Sequence, residues 1–146
     1  MYQIDQSGKI EQTSKSTVIA VSNGKSLSIL ISAKEKRRLE KIFRLAGKPY
    51  MFIFITFTVL IYLLIRNHLE EIDNLNIDRE YKGYEPLIKK YLVEVLRRGG
   101  AKVIPDIHFT EIGKTSRAHK LAIKTYRKQI KPTMVINAKE VIEWII

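Results

Sequence analysis

Tyr50–Ile65 is a run of sixteen residues without a charge, in a chain of 146 residues that carries 26 Lys and Arg against 15 Asp and Glu. A stretch this apolar must leave water, so either a membrane or a core takes it up. A spanning helix wants ~20 residues, whereas this one reaches only about 24 Å at ~1.5 Å per residue. The run also changes character along its length. Met51–Phe57 is aromatic and β-branched and reads as a strand buried on both faces, and Val59 to Glu71 reads as a helix. A buried strand feeding a core helix accounts for both, so no stable membrane insertion is expected. A small membrane-anchored protein with a span near 50–65 is the alternative, because Lys and Arg crowd just before the run.

The flanks predict what surrounds that core. Tyr2–Asp5 alternates apolar and polar as a short strand, and Gln6-Ser7-Gly8 is turn material. Thr17–Val21 and Leu27–Ile31 are β-rich runs joined through Asn23-Gly24, a strong hairpin signal because both residues tolerate positive φ. Ser32 and Glu35 form a capping box for a helix whose apolar face is Leu39, Ile42, Phe43 and Ala46, closed by Gly47 and Pro49. Further along come a strand ending near Asp78 and an amphipathic helix over Tyr84–Arg98 stopped by Gly99-Gly100. Then follow a strand within Lys102–Ile112, a helix from Thr115 or Ser116 to about Lys128, and a strand over Met134–Ile136. Asn137 and Glu140 make a second capping box, opening a helix over Ala138–Ile146. The sum is one α/β domain over residues 1–146, a mixed β-sheet with an N-terminal antiparallel hairpin meander followed by alternating helices and strands.

Charge and composition narrow the partners. The formal net charge of +11 draws such a domain to a polyanion, with nucleic acid (DNA or RNA) preferred over an anionic membrane surface. Cysteine is absent, which removes a disulfide framework, a thiol nucleophile and a Cys-type zinc site, and fits a reducing, cytoplasmic setting. The first residues carry no signal-peptide pattern. The richness in Lys, Glu and Ile is a bias shared with thermophile proteins. The terminal Val141, Ile142, Trp144, Ile145 and Ile146 are apolar enough to close the core, with a homodimer contact as the alternative.

Three residues stand out for chemistry. Asp5 lies at a predicted strand end beside a tight turn, where a carboxylate can hold a divalent cation and leave room for phosphate. Asp78 lies at the end of a later strand, and two such groups brought together make sense around a shared cation. Glu80, or Glu85 at the next helix start, is a third ligand candidate. His119 falls near a helix N-terminus beside Lys114, Arg117, Lys120 and Lys124, which are spaced 3, 3 and 4 along one side. His68 and His108 lack such surroundings and read as structural. Basic residues at Arg37, Arg38 and Lys41 complete a predicted nucleic-acid-binding set.

With Asp5 on a first strand, an Asn23-Gly24 meander, the Ser32–Ala46 helix, Asp78 on a later strand and a closing strand and helix over Ile107–Ala122, the chain resembles the RNase H-like superfamily of small metal-dependent nucleases. The resemblance implies Mg²⁺ or Mn²⁺ held by Asp5, Asp78 and Glu80. It implies phosphodiester hydrolysis with Asp5, Asp78 and His119 as the catalytic set, and a nucleic-acid backbone held by the basic helices. A non-catalytic nucleic-acid-binding protein is the rival. The chain departs from the family in two places: the strand read over Met51–Phe57 bears no acid, and the closing helix offers His119 instead of a carboxylate. Pro105-Asp106 also resembles the start of a PD-(D/E)xK pattern, but Glu111 and Lys114 have the wrong spacing to complete it.

Overall fold

A computed structural model describes residues 2–145. The elements run β1 (Tyr2–Ser7), β2 (Thr17–Asn23), β3 (Lys25–Ile31), α1 (Ala33–Leu45), α2 (Phe52–Ile65), β4 (Asn74–Asp78), α3 (Glu85–Arg98), β5 (Asp106–Thr110), α4 (Arg117–Tyr126), β6 (Met134–Ile136) and α5 (Ala138–Ile142). Six strands form a mixed sheet in the order β5-β4-β1-β2-β3-β6. The β1–β2–β3 meander is antiparallel, whereas β4 pairs parallel to β1, β5 to β4 and β6 to β3.

Side-chain alternation gives the sheet two different faces. Ile4, Ile19, Val21, Ile29, Ile31, Leu75 and Ile77 point to one side and merge with α2 and α3 into the main core. Asp5, Val18, Ala20, Ser28 and Asn76 have the opposite parity in the same register, and α4 packs over β1, β2 and β3. The contact is made by small side chains, Ala118, Ala122 and Thr125 on α4, all buried. Such residues let a helix lie close to a sheet.

The strand expected over Met51–Phe57 is instead the first half of α2. Pro49 opens a 3-10 turn, Pro49–Met51, which runs directly into the helix, and no break falls between Phe57 and Val59. Pro fits the first turn of a helix because its missing N–H is not needed there. Thr58 donates its hydroxyl to the Phe54 carbonyl at 2.8 Å, so a β-favouring residue is accommodated inside the helix. The β-branched composition loses to context: a helix buried all round satisfies its own backbone, and an isolated buried strand does not. The helical reading of Val59 to Glu71 is also shortened, since α2 ends at Ile65 and Leu69–Glu71 is a separate 3-10 turn. At 14 residues α2 is about 21 Å long by the ~1.5 Å rise, and no helix among the described residues is long and apolar enough to cross a membrane.

Smaller differences have local causes. The hairpin pairs Asn23 with Lys25, so the turn centres on Gly24, the one member with positive φ (75°). Ser32 caps α1 by accepting from the Glu35 N–H at 3.2 Å, but Glu35 Oε1 reaches across to the N–H of Ala138, at 3.0 Å, and stitches α5 to α1. The buried stripe of α1 is Lys36, Leu39 and Phe43, with Ile42 40% exposed and Ala46 exposed. The Asn137–Glu140 box is complete, yet α5 stops at Ile142; Ile146, the predicted end, lies outside the described residues. Trp144 still packs against Tyr62 with ring centroids 4.8 Å apart, so the apolar chain end does join the core.

Gly8 ends β1 with φ +78°, and a methyl group there would collide with the Ser16 carbonyl and the Tyr126 ring. Gly8→Ala combines left-handed strain with overpacking, so a loss of about 2–4 kcal/mol is expected. Urea unfolding measures it, and an unchanged midpoint would contradict this account of the turn.

Candidate functional site

The parallel pairing of β1 with β4 decides the site. Ile4 sits opposite Ile77, so the next residues, Asp5 and Asp78, stand side by side and point to the same face. Asp5 lies within β1 and not at its end, because the strand continues to Ser7. Glu80 follows β4 in the chain rather than lying on it, yet its carboxylate returns to Asp78. One ligand oxygen from each of Asp5, Asp78 and Glu80 lies within 4.8 Å of the others. The sequence therefore named the three acids that converge. Glu85, the alternative third ligand, pairs with Arg79 at 3.2 Å and accepts from the Gly83 N–H at 2.7 Å.

Two of the acids, Asp5 and Asp78, are held by donors. Asp5, only 4% exposed, accepts from the Gln6 N–H through Oδ1 at 2.8 Å and meets His119 Nδ1 through Oδ2 at 2.8 Å. Asp78 Oδ1 accepts from the Ile112 N–H, also at 2.8 Å, which ties the segment after β5 to the strand bearing the acid. His119 owes its place to local sequence. Ser116 caps α4 by accepting the His119 N–H at 3.1 Å, which sets the ring one turn into the helix and above β1. With Asp5 as the carboxylate, Nδ1–H is the donor and Nε2 is the ring nitrogen left for another partner.

Mutual repulsion shows in the acids. Burial, then a hydrogen bond with Asp78, then the charges of Asp78 and Asp5 push the Glu80 carboxyl up to about 7, with Lys9 opposing the rise. Burial likewise pushes Asp5 up, aided by the charge of Asp78 and opposed by the Gln6 N–H and by His119. Three clustered carboxylates destabilise one another unless a cation joins them. An all-oxygen donor set of this kind suits a hard divalent ion such as Mg²⁺ or Mn²⁺.

The predicted basic residues fall on two layers. Arg117, Lys120 and Lys124 are exposed along α4, the helix that carries His119, whereas Lys114, expected on the same helix side, is exposed in the turn before it because the helix starts only after the Ser116 cap. Arg37, Arg38 and Lys41 are exposed on α1, which packs with α2 and α5 on the core side of the sheet. Arg37 donates to the Thr13 carbonyl at 2.9 Å, and Arg38 pairs with Glu35 at 3.1 Å. Lys41 lines an apolar groove of about 640 Å³ with Ile42, Leu45 and Ile142.

Two residues beside the site escaped the sequence reading. Lys36 is fully buried beneath the β1–β2 loop, and Tyr81, next to Glu80, is half-buried with its hydroxyl facing Gln6 and Glu11. The spacing Lys36, Leu39, Phe43 was the available signal, since it sets a lysine on the apolar stripe of α1. Compared with known proteins, the chain matches no family model, no curated protein and no solved structure.

Proposed function

We propose that this chain is a divalent-metal-dependent nuclease of the RNase H-like kind, hydrolysing the phosphodiester backbone of nucleic acid. The observation that carries the reading is the convergence of Asp5, Asp78 and Glu80 within 4.8 Å at neighbouring parallel strands, with His119 bonded to Asp5. The order of elements supports it: a meander with an acid on the first strand, then helix, then parallel strands with a helix between them. The helical state of Met51–Phe57 removes one departure from that pattern, because the strand that follows the meander is β4, and β4 bears Asp78.

A divalent ion held by these acids supplies a Lewis acid that lowers the pKa of a bound water and offsets phosphate charge. The protein's own groups do the rest. Asp5 orients the His119 ring through Nδ1–H. In its imidazolium form the ring gives its Nε2 proton to the leaving sugar oxygen as water adds to phosphorus, releases one proton to solvent and displaces that oxygen, and the ring then takes up a proton from solvent. The row on α4 holds backbone phosphates without reading sequence.

The test is incubation of the chain with single- and double-stranded DNA and RNA in Mg²⁺, Mn²⁺ or EDTA. Cleavage that EDTA abolishes is expected on at least one substrate. His119→Ala is expected to lower kcat by about 100-fold or more while leaving KM near its original value, as loss of an acid–base group does. Binding without cleavage in either metal would replace this reading with a non-catalytic nucleic-acid-binding role.

A further inference from the structure

The loop Gly8–Ser16 joins β1 to β2 at the edge where the acids converge, and it is fastened from beneath. The Lys36 ammonium, fully buried, donates to the Lys9 carbonyl at 3.0 Å, the Gln12 carbonyl at 2.8 Å and the Thr17 hydroxyl at 3.0 Å. Arg37 adds the bond to Thr13. On the Glu80 side, the Tyr81 hydroxyl accepts from the Ile10 N–H at 3.4 Å and from Gln6 at 3.2 Å and faces a Glu11 carboxylate oxygen at 3.2 Å. Ile10 is fully buried in the core cluster. Surface loops ordinarily leave their carbonyls to water, and burying an ammonium is costly. A segment held this way is built to keep its shape.

What the fastened loop presents is Lys9. Its carbonyl is one of the three acceptors that fix Lys36, while its side chain is exposed and the next residue, Ile10, is bonded to Tyr81, the residue after Glu80, which sets Lys9 at the acidic end of the sheet. A phosphodiester approaching three acids meets repulsion that a fixed cation at their edge relieves, and a lysine serves there as a point charge for phosphate.

We propose that Gly8–Ser16 is a rigid phosphate-binding wall of the acidic site, with Lys9 contacting a backbone phosphate and Lys36 acting as the positioning residue that holds Lys9 in place. The proposal rests on the nuclease reading for what happens to the bound strand, and its test is separable from that reading. Binding of a fluorescein-labelled twelve-nucleotide single-stranded DNA, and of the matching RNA, is followed by anisotropy in EDTA over a range of KCl. Mn²⁺ affinity and single-turnover cleavage are measured alongside.

Lys9→Gln is expected to weaken binding about 3–10-fold and to reduce the slope of log K against log[salt] by about 0.7, the value for one single-strand phosphate contact. Mn²⁺ affinity should hold or rise, and Lys9→Arg should restore most of the binding. Lys36→Met should reproduce the Lys9→Gln loss although its own ammonium never reaches the strand; if that variant fails to fold, Lys9→Gln carries the test alone. Wild-type binding and salt slope in Lys9→Gln, or no binding of either oligonucleotide by the unmodified chain, would overturn the proposal. Cleavage that vanishes in Asp5→Asn while Lys9→Gln behaves as wild type sinks the wall and keeps the nuclease. Loss of binding in Lys9→Gln with no metal-dependent cleavage by the unmodified chain does the reverse.

Discussion

Asp5→Asn is expected to abolish metal-dependent cleavage while leaving the fold intact or slightly more stable. The amide keeps the shape and can still accept the Gln6 N–H, but the charge is gone and His119 Nδ1 loses its ionic acceptor. Loss of a group that merely orients a metal ligand costs 10–100-fold, so loss of the ligand charge itself is expected to exceed about 100-fold. Stability moves the other way. Burial and the neighbouring Asp78 already press against the ionised Asp5, and a neutral side chain relieves that pressure. Single-turnover cleavage in Mn²⁺ together with thermal unfolding reads both halves. Unchanged cleavage would remove Asp5 from the site.

The second large effect is on stability. Lys36→Met keeps the length of the stem but leaves the Lys9 and Gln12 carbonyls and the Thr17 hydroxyl without their donor. A loss of about 3 kcal/mol is expected at pH 7, given ~1–3 kcal/mol for each buried group left unpaired and the relief of no longer burying a charge. Limited proteolysis should then find the Gly8–Ser16 loop cleavable. The pH dependence has a definite sign. Burial pushes the Lys36 ammonium down to about 8 from 10.5, with Glu11 opposing the shift. Between these values the unfolded chain binds more protons than the folded one, so this group raises stability as pH climbs from about 8 to 10.5. The gap between the unmodified chain and Lys36→Met should therefore widen over that window. Urea midpoints at pH 7, 8.5 and 10 measure it, and a constant gap would show that the lysine binds its proton equally in both states.

Local chemistry made much of this fold legible. Ser32, Ser116 and Asn137 each cap the helix that their spacing announces, because a cap needs only its own chain three residues on. Asp5 and Asp78 were readable as strand carboxylates because alternation is local, although the strand end expected at Asp5 was wrong and the register that joins the two is not local. The failures come from contacts distant in sequence. Met51–Phe57 has strand composition, but α2, which takes up most of it, packs on β2, β3, α3, α1 and α5, and the demand there for a self-satisfied buried element decides its state. Glu35 left its capping box for Ala138, 103 residues away. Lys36 drew no reading from the sequence because the loop carbonyls that receive it lie 24 to 27 residues upstream.

The parallel pairing of β1 with β4 also bears on how the molecule comes into being. The meander closes through the Gly8–Ser16 loop and a tight turn at Gly24, whereas β1 can meet β4 only after α1 and α2 have been made. Contacts of such long sequence separation form late, since the connecting chain must be ordered first. On a growing chain Asp5 emerges early and waits for Asp78, Glu80 and then His119. The acidic cluster thus gathers only when β4 joins the sheet, and α1 with its exposed Arg37, Arg38 and Lys41 is made before that point.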